Sequence, residues 1–210
     1  MKNIFSLSEE KTDFKTALTE WKFTGEIVVY EEPIEICNLC EHPNLRYHYE
    51  IENVQLRTSL MVGSNCIDKF DITVIGEDGI EITENKEAYL IARAQKKHIK
   101  DAFDKLIATK PMGSMVKRSG VNIGKEYRII ELDEACKSDY YLHGKMDARM
   151  LNYLFLRFEQ EGVFCEKRFF KIKLNSQEAK DKLLSLDRKQ YDRTKVALSV
   201  SQRKYYEGNF

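Results

Sequence analysis

Residues 37–70, CNLCEHPNLRYHYEIENVQLRTSLMVGSNCIDKF, decide how this chain is read. Two residues between Cys37 and Cys40 let the backbone turn so that both sulfurs face one point about 2.3 Å away, the usual zinc–thiolate distance. Behind this knuckle, residues 45–52 (LRYHYEIE) and 58–63 (TSLMVG) alternate in strand fashion, and the polar link NVQLR predicts that they form a hairpin. Gly63 marks a turn, and Ser64 or Asn65 is placed to cap a short helix that carries Cys66. If Ile51 lies opposite Leu60, His48 comes back beside Gly63, three residues from Cys66. A knuckle, a returning hairpin and a cysteine on a first helical turn predict a treble-clef-like zinc finger. The positive end of that helix favours the thiolate form of Cys66.

A closed structural site needs a fourth ligand. Many such fingers place it three residues after the third cysteine, which here is Lys69. The remaining choices are His42, just after the knuckle, and His48 on the returning strand; His42 is preferred narrowly. A Cys3His set leaves no open position, so the expected zinc is structural and not a Lewis acid for catalysis.

The runs DFKTALTEW (13–21), CNLCEHPNLRYHYEIEN (37–53) and LMVGSNCIDKF (60–70) also carry a resemblance. Together they resemble a group of uncharacterised proteins from bacteria, phages and mobile elements. That group shares an F-x-x-A-L-x-E-W helix, a C-x-x-C followed by a basic-aromatic strand ending in I-x-N, and V-G-S-x-C-I-x-x-F. The segments ARMLNYLFLRFEQEGVFCEKRFFKIKL (148–174) and ALSVSQRK (197–204) look like its C-terminal part. Where the shared pattern commonly has glycine after the second cysteine, this chain has Glu41. The resemblance implies a zinc-binding fold and brings no activity with it.

At 210 residues, with 42% hydrophobic and 32% charged side chains, the chain reads as globular, one large domain or two small ones. It has no apolar run near 18 residues, so no membrane span is expected. The start MKNIFSLSEEKTDF turns acidic where a signal peptide needs an apolar stretch, so a cytoplasmic protein with reduced thiols is expected. A net charge of zero hides a gradient: residues 1–86 carry 8 Lys+Arg against 17 Asp+Glu, and residues 165–210 carry 12 against 6. A polyanion would therefore meet the C-terminal half, unless the two charged faces are simply solvated.

Elsewhere the sequence predicts an α+β chain. Helices are expected from Ser8 (as cap) to Trp21, from Lys86 to about Thr109, at about 146–161 ending at Gly162, and twice between Ser176 and Tyr206. Strands are expected at EIVVY (26–30), at 72–75 returning as IEIT (80–83), at YRIIEL (127–132) and at VFCEKRFFKIKL (163–174). Residues 110–126, KPMGSMVKRSGVNIGKE, are the most breaker-rich stretch. The expected division is a zinc module over 1–85 and a basic, mainly helical domain with a few strands over 86–210.

Other constellations are weaker. GVNIGKE (120–126) fails the phosphate-loop spacing and puts Glu126 where a magnesium-binding hydroxyl should stand. Asp78 with Glu84-Asn85-Lys86 has the look of a nuclease tripeptide, but the acids lie in or beside a turn. Glu131, Asp133, Glu134 and Asp139 lie near Cys136 and His143 without a supporting nucleophile motif. Cys136 and Cys165 read as small buried residues, and His98 as a satisfied core or boundary histidine. Lys167, Arg168, Lys171 and Lys173 interleave with Phe169, Phe170 and Ile172, and Arg188, Lys189, Arg193 and Lys195 follow on the last helices. Cations beside aromatics suit single-stranded nucleic acid, although an amphipathic surface facing water gives the same pattern. The leading expectation is thus a non-enzymatic, zinc-stabilised nucleic-acid-binding protein of phage or mobile-element type. The alternative is a protein–protein adaptor or inhibitor docking through its acidic zinc module.

Overall fold

The computed structural model describes residues 2–109 and 124–208, and among them the chain is mixed α+β. It forms two compact units, Met1–Lys97 and His98–Phe210. Residues 110–123 of the candidate boundary loop (110–126) and phosphate-like run (120–126) lie outside the described residues, and the last three, 124–126, open a helix.

The first unit is built on a three-stranded antiparallel sheet in the order β1 (Trp21–Val29), β2 (Tyr47–Asn53), β3 (Ser59–Val62). Ile51 faces Leu60 in the β2–β3 hairpin, the predicted register, and Tyr49 faces Val62. Alternation then sends Phe23, Ile27, Tyr49, Ile51, Leu60 and Val62 into one core. The β1–β2 register shifts between Phe23 and Ile27, where Gly25 takes a φ of 99°, a conformation open to glycine at little cost.

The helix predicted from Ser8 to Trp21 shortens to α2 (Phe14–Thr19), capped by Asp13, and a separate helix, α1 (Lys2–Leu7), precedes it. Ser8 is fully buried and its Oγ accepts from the Trp21 indole at 2.8 Å, so it anchors a side chain and caps no helix. Trp21 opens β1 and does not close a helix. In α3 (Ser64–Lys69) the cap position falls to Gly63, with no side-chain bond. Ser64 and Asn65 are already helical. The predicted 72–83 strand pair appears as single bridges, Lys22–Thr73 and Ile75–Glu81, around the Glu77-Asp78-Gly79 turn.

Helix α4 (Lys86–Ala108) matches the predicted helix. Leu90 and Ala94 belong to the first core, and Ile99, Ala102, Phe103 and Leu106 to the second. The second unit continues with α5 (Gly124–His143), α6 (Ala148–Glu161), a 3-10 turn at Lys167–Phe169, α7 (Gln177–Leu184), α8 (Arg188–Thr194) and α9 (Val200–Glu207). Helix α6 opens on the Asp147 cap and ends at Gly162, whose φ of 64° is the left-handed stop expected of that glycine.

Two predicted strands are absent from the second unit. YRIIEL lies within α5, because its inward positions, 129, 133, 136 and 140, recur at helical spacing, with the charged Asp133 hiding the stripe. Residues 163–174 form the 3-10 turn and one bridge, Met146–Ile172. Consecutive Phe169 and Phe170 both pack against the second core, which a period-two strand does not allow.

Candidate metal centre

Local structure around the cysteines follows from CNLC itself. Leu39 is fully buried and pins the knuckle to the first core. Asn38 pairs with Met61 on the outer side of β3, its N–H donating to the Met61 carbonyl at 2.9 Å and its Oδ1 accepting from the Met61 N–H at 3.0 Å. The Cys37 N–H donates to the His42 carbonyl at 3.0 Å, closing the turn. Glu41, within that turn, and Asn44, just beyond it, take φ values of 61° and 62°, the left-handed region. A glycine at position 41 would take this backbone without the Cβ penalty that Glu41 incurs.

The Sγ atoms of Cys37, Cys40 and Cys66 all lie within 4.8 Å of one another. Cys37 and Cys66 are 3.6 Å apart. Sulfurs bound 2.3 Å from a tetrahedral ion stand about 3.8 Å apart, so the buried pair already has nearly the spacing of two ligands. The Gly63 N–H points at Cys37 Sγ at 3.4 Å. A hydrogen bond from the Cys66 thiol, helped by the N–H groups of Cys40, Gly63 and Leu39, holds the Cys37 thiol well below its ordinary range despite burial. Cys66 is pushed the other way, first by that shared bond and then by burial. One thiolate beside thiols that resist ionising together is a group that a cation stabilises. The three cysteines can hold a metal ion, and Cys37 and Cys66 are buried while Cys40 is exposed.

Neither histidine joins them. His48 is buried in β2, with Nδ1 3.2 Å from the Tyr30 hydroxyl and Nε2 3.1 Å from the Ile36 carbonyl. Because a carbonyl only accepts, Nε2 carries the proton and Nδ1 accepts from Tyr30. His42 is exposed and its ring stands outside the cluster. Among the described residues no other set of three or more His, Cys, Asp or Glu side chains converges in this way.

The remaining sequence candidates have structural partners. Lys86 is buried on Asp71 and the Ile72 carbonyl, and Asp78 accepts from the Ile80 N–H within its turn, so the nuclease-like tripeptide does not converge. His98 accepts the Glu166 N–H at 3.0 Å between Phe164 and Phe169. Asp133 is buried against Arg157 at 3.0 Å, and Asp139 accepts from Lys173 at 3.0 Å and lies 3.6 Å from His143. Burial pushes the Cys136 and Cys165 thiols up to about 12, so both stay protonated.

The basic segment is largely neutralised within the chain. Lys167 and Arg193 meet Glu159 at 2.5 and 3.2 Å, Arg168 meets Glu166 at 3.0 Å, and Arg188 and Lys195 meet Asp192 at 3.2 and 2.8 Å. With the Lys173–Asp139 pair, six of the eight candidate cations sit on carboxylates; Lys171 and Lys189 are exposed.

Sequence reasoning missed Glu20. Its buried carboxylate accepts from the N–H groups of Glu9 and Glu10, both at 2.8 Å, and from the Asn53 amide at 2.6 Å. Burial alone would raise its pKa, but these donors outweigh burial and hold it below the usual range. Glu20 and Asn53 are the E of the E-W pair and the N of I-x-N, so those motif positions tie α2, β1 and the hairpin together. The signal was present in the quoted motifs; the bond between them was not. Among the described residues no helix is long and apolar enough to cross a membrane. Compared with models of known protein families, with curated proteins and with solved structures, the chain matches none.

Proposed function

We propose that this chain is a zinc-stabilised binding protein in which the metal, held by Cys37, Cys40 and Cys66, supports a recognition surface and performs no chemistry of its own. The convergence of the three sulfurs within 4.8 Å carries this reading. Zinc is the metal of choice because thiolates at about this spacing are its usual structural ligands. The order of knuckle, hairpin and Cys66-bearing helix supports a treble-clef-like finger.

Two partner classes fit the charge. The first unit carries 11 Lys+Arg against 18 Asp+Glu, and the second 23 against 16. A nucleic acid would meet the more basic second unit. The six intramolecular ion pairs favour the other reading, an adaptor or inhibitor whose acidic first unit docks a basic protein. In that unit Ile34 and Ile36, 66% and 52% exposed, stand among Glu31, Glu32 and Glu35 directly before the knuckle.

Metal analysis of the purified full-length chain should return one zinc per molecule, lost in Cys37→Ser. A chain that carries no metal when purified and takes up none in reduced buffer overturns the metal reading. Binding to single- and double-stranded oligonucleotides across a salt series separates the partners. Affinity that falls steeply with salt supports nucleic acid, and no binding at low salt supports the protein partner.

A further inference from the structure

The chain has five cysteines and four histidines, and every one lies among the described residues. That makes an inventory of possible ligands complete for the two commonest zinc donors. Cys136 and Cys165 pack in or against the second core. His98 accepts a backbone N–H and His143 lies beside Asp139. His48 is locked between Tyr30 and the Ile36 carbonyl, so turning it towards the sulfurs would leave both partners without it. His42 is exposed and outside the cluster, and among the described residues no Asp or Glu joins the three sulfurs. The cluster is also asymmetric, with Cys37 and Cys66 buried and Cys40 on the surface.

Building on the metal reading above, we infer that the centre has three protein ligands and a fourth position that opens to solvent on the Cys40 side. At rest that position takes a solvent molecule, and it accepts a single nitrogen or sulfur donor of the imidazole or thiolate class. Tetrahedral coordination requires four donors, and the chain's own cysteines and histidines supply three. His48 is committed elsewhere and, among the described residues, no carboxylate accompanies the sulfurs, so the position is built for coordination; a hydrolytic centre would need a general base beside it. The donor can be a free small molecule or a histidine or cysteine presented by a partner.

Cobalt(II) added to the reduced, metal-free full-length chain reads the coordination directly, because its visible bands report ligand number and type. The expected result is one cobalt per chain with thiolate charge-transfer absorption and tetrahedral bands, unchanged in His42→Ala. Adding imidazole, or a short peptide with one histidine, should shift those bands saturably; a response to imidazole alone assigns the position to small molecules. Bands that ignore both additions and change in His42→Ala overturn the open position while leaving the three-cysteine centre intact. Absence of any thiolate charge-transfer band removes the metal reading together with this inference.

Discussion

The first unit gathers the sulfurs of Cys37, Cys40 and Cys66 within 4.8 Å of one another, whereas the second closes over Arg157, which lies between Asp133 and Glu161. In the second unit the charges are self-contained: Tyr153 donates to Asp133 at 2.8 Å, and Phe103, Phe155, Phe158 and Phe170 pack in the same core. Burying like-signed groups requires a counter-charge; the second unit takes its own from Arg157, and on the proposed metal reading the first takes it from a bound ion. Stability of the second unit is therefore a property of the polypeptide. On the proposed metal reading, stability of the first depends on the concentration of an ion.

The comparison breaks most visibly under a chelator. Structural zinc contributes on the order of 10–16 kcal/mol in small fingers, as much as a whole domain's usual margin of about 5–15 kcal/mol. Chelation, or Cys37→Ser, should abolish hydrogen-exchange protection across β1–β3 and leave α6 protected. Equal loss in both units would erase the distinction drawn here.

The mirror experiment removes the internal counter-charge. Arg157→Met leaves Asp133 and Glu161 buried without their cation and should cost about 3–5 kcal/mol. Denaturant titration with metal present should locate that loss in α5 and α6. A cost below about 1 kcal/mol would mean that aromatic packing alone holds the second unit.

A smaller effect tests the first unit away from its metal. Glu20→Gln weakens three charge-assisted bonds and should cost about 1–3 kcal/mol at neutral pH. The Glu20 pKa is depressed in the folded chain, so its contribution is present above the unfolded carboxylate pKa and fades as pH falls through the folded one. The wild-type and Gln chains should therefore converge in stability in acid, and a gap that persists there would assign the loss to packing. The smallest change concerns the knuckle. Glu41→Gly relieves a left-handed backbone at φ 61° and should stabilise the chain by no more than about 1 kcal/mol, seen as a slightly higher Tm.

Much of the first unit was legible because its determinants are local. The Ile51–Leu60 register follows from two alternating runs and a five-residue link, and the cysteines announce themselves by spacing. The fourth ligand was not legible: His42 and His48 both lie between Cys40 and Cys66 in sequence, and only the Tyr30 and Ile36 contacts show that His48 has another task. In the second unit Ile129 and Ile130 mimic a strand, because Asp133 interrupts the apolar stripe with a charge that only Arg157, 24 residues on, makes acceptable. The basic strand failed for a related reason. Lys167 and Arg193 share Glu159, a carboxylate supplied by a different helix, and no window over residues 163–174 contains it.

On the proposed metal reading, the single exposed ligand, Cys40, separates how tightly an ion is held from how fast it leaves. The buried pair Cys37 and Cys66 sets the equilibrium, since neither sulfur can be reached without opening the core. Exchange, in contrast, begins at the surface, where a competing thiol can displace Cys40 first and pass the ion out one bond at a time. Such a centre would exchange its metal with a competing thiol rapidly and yet hold it firmly against dilution.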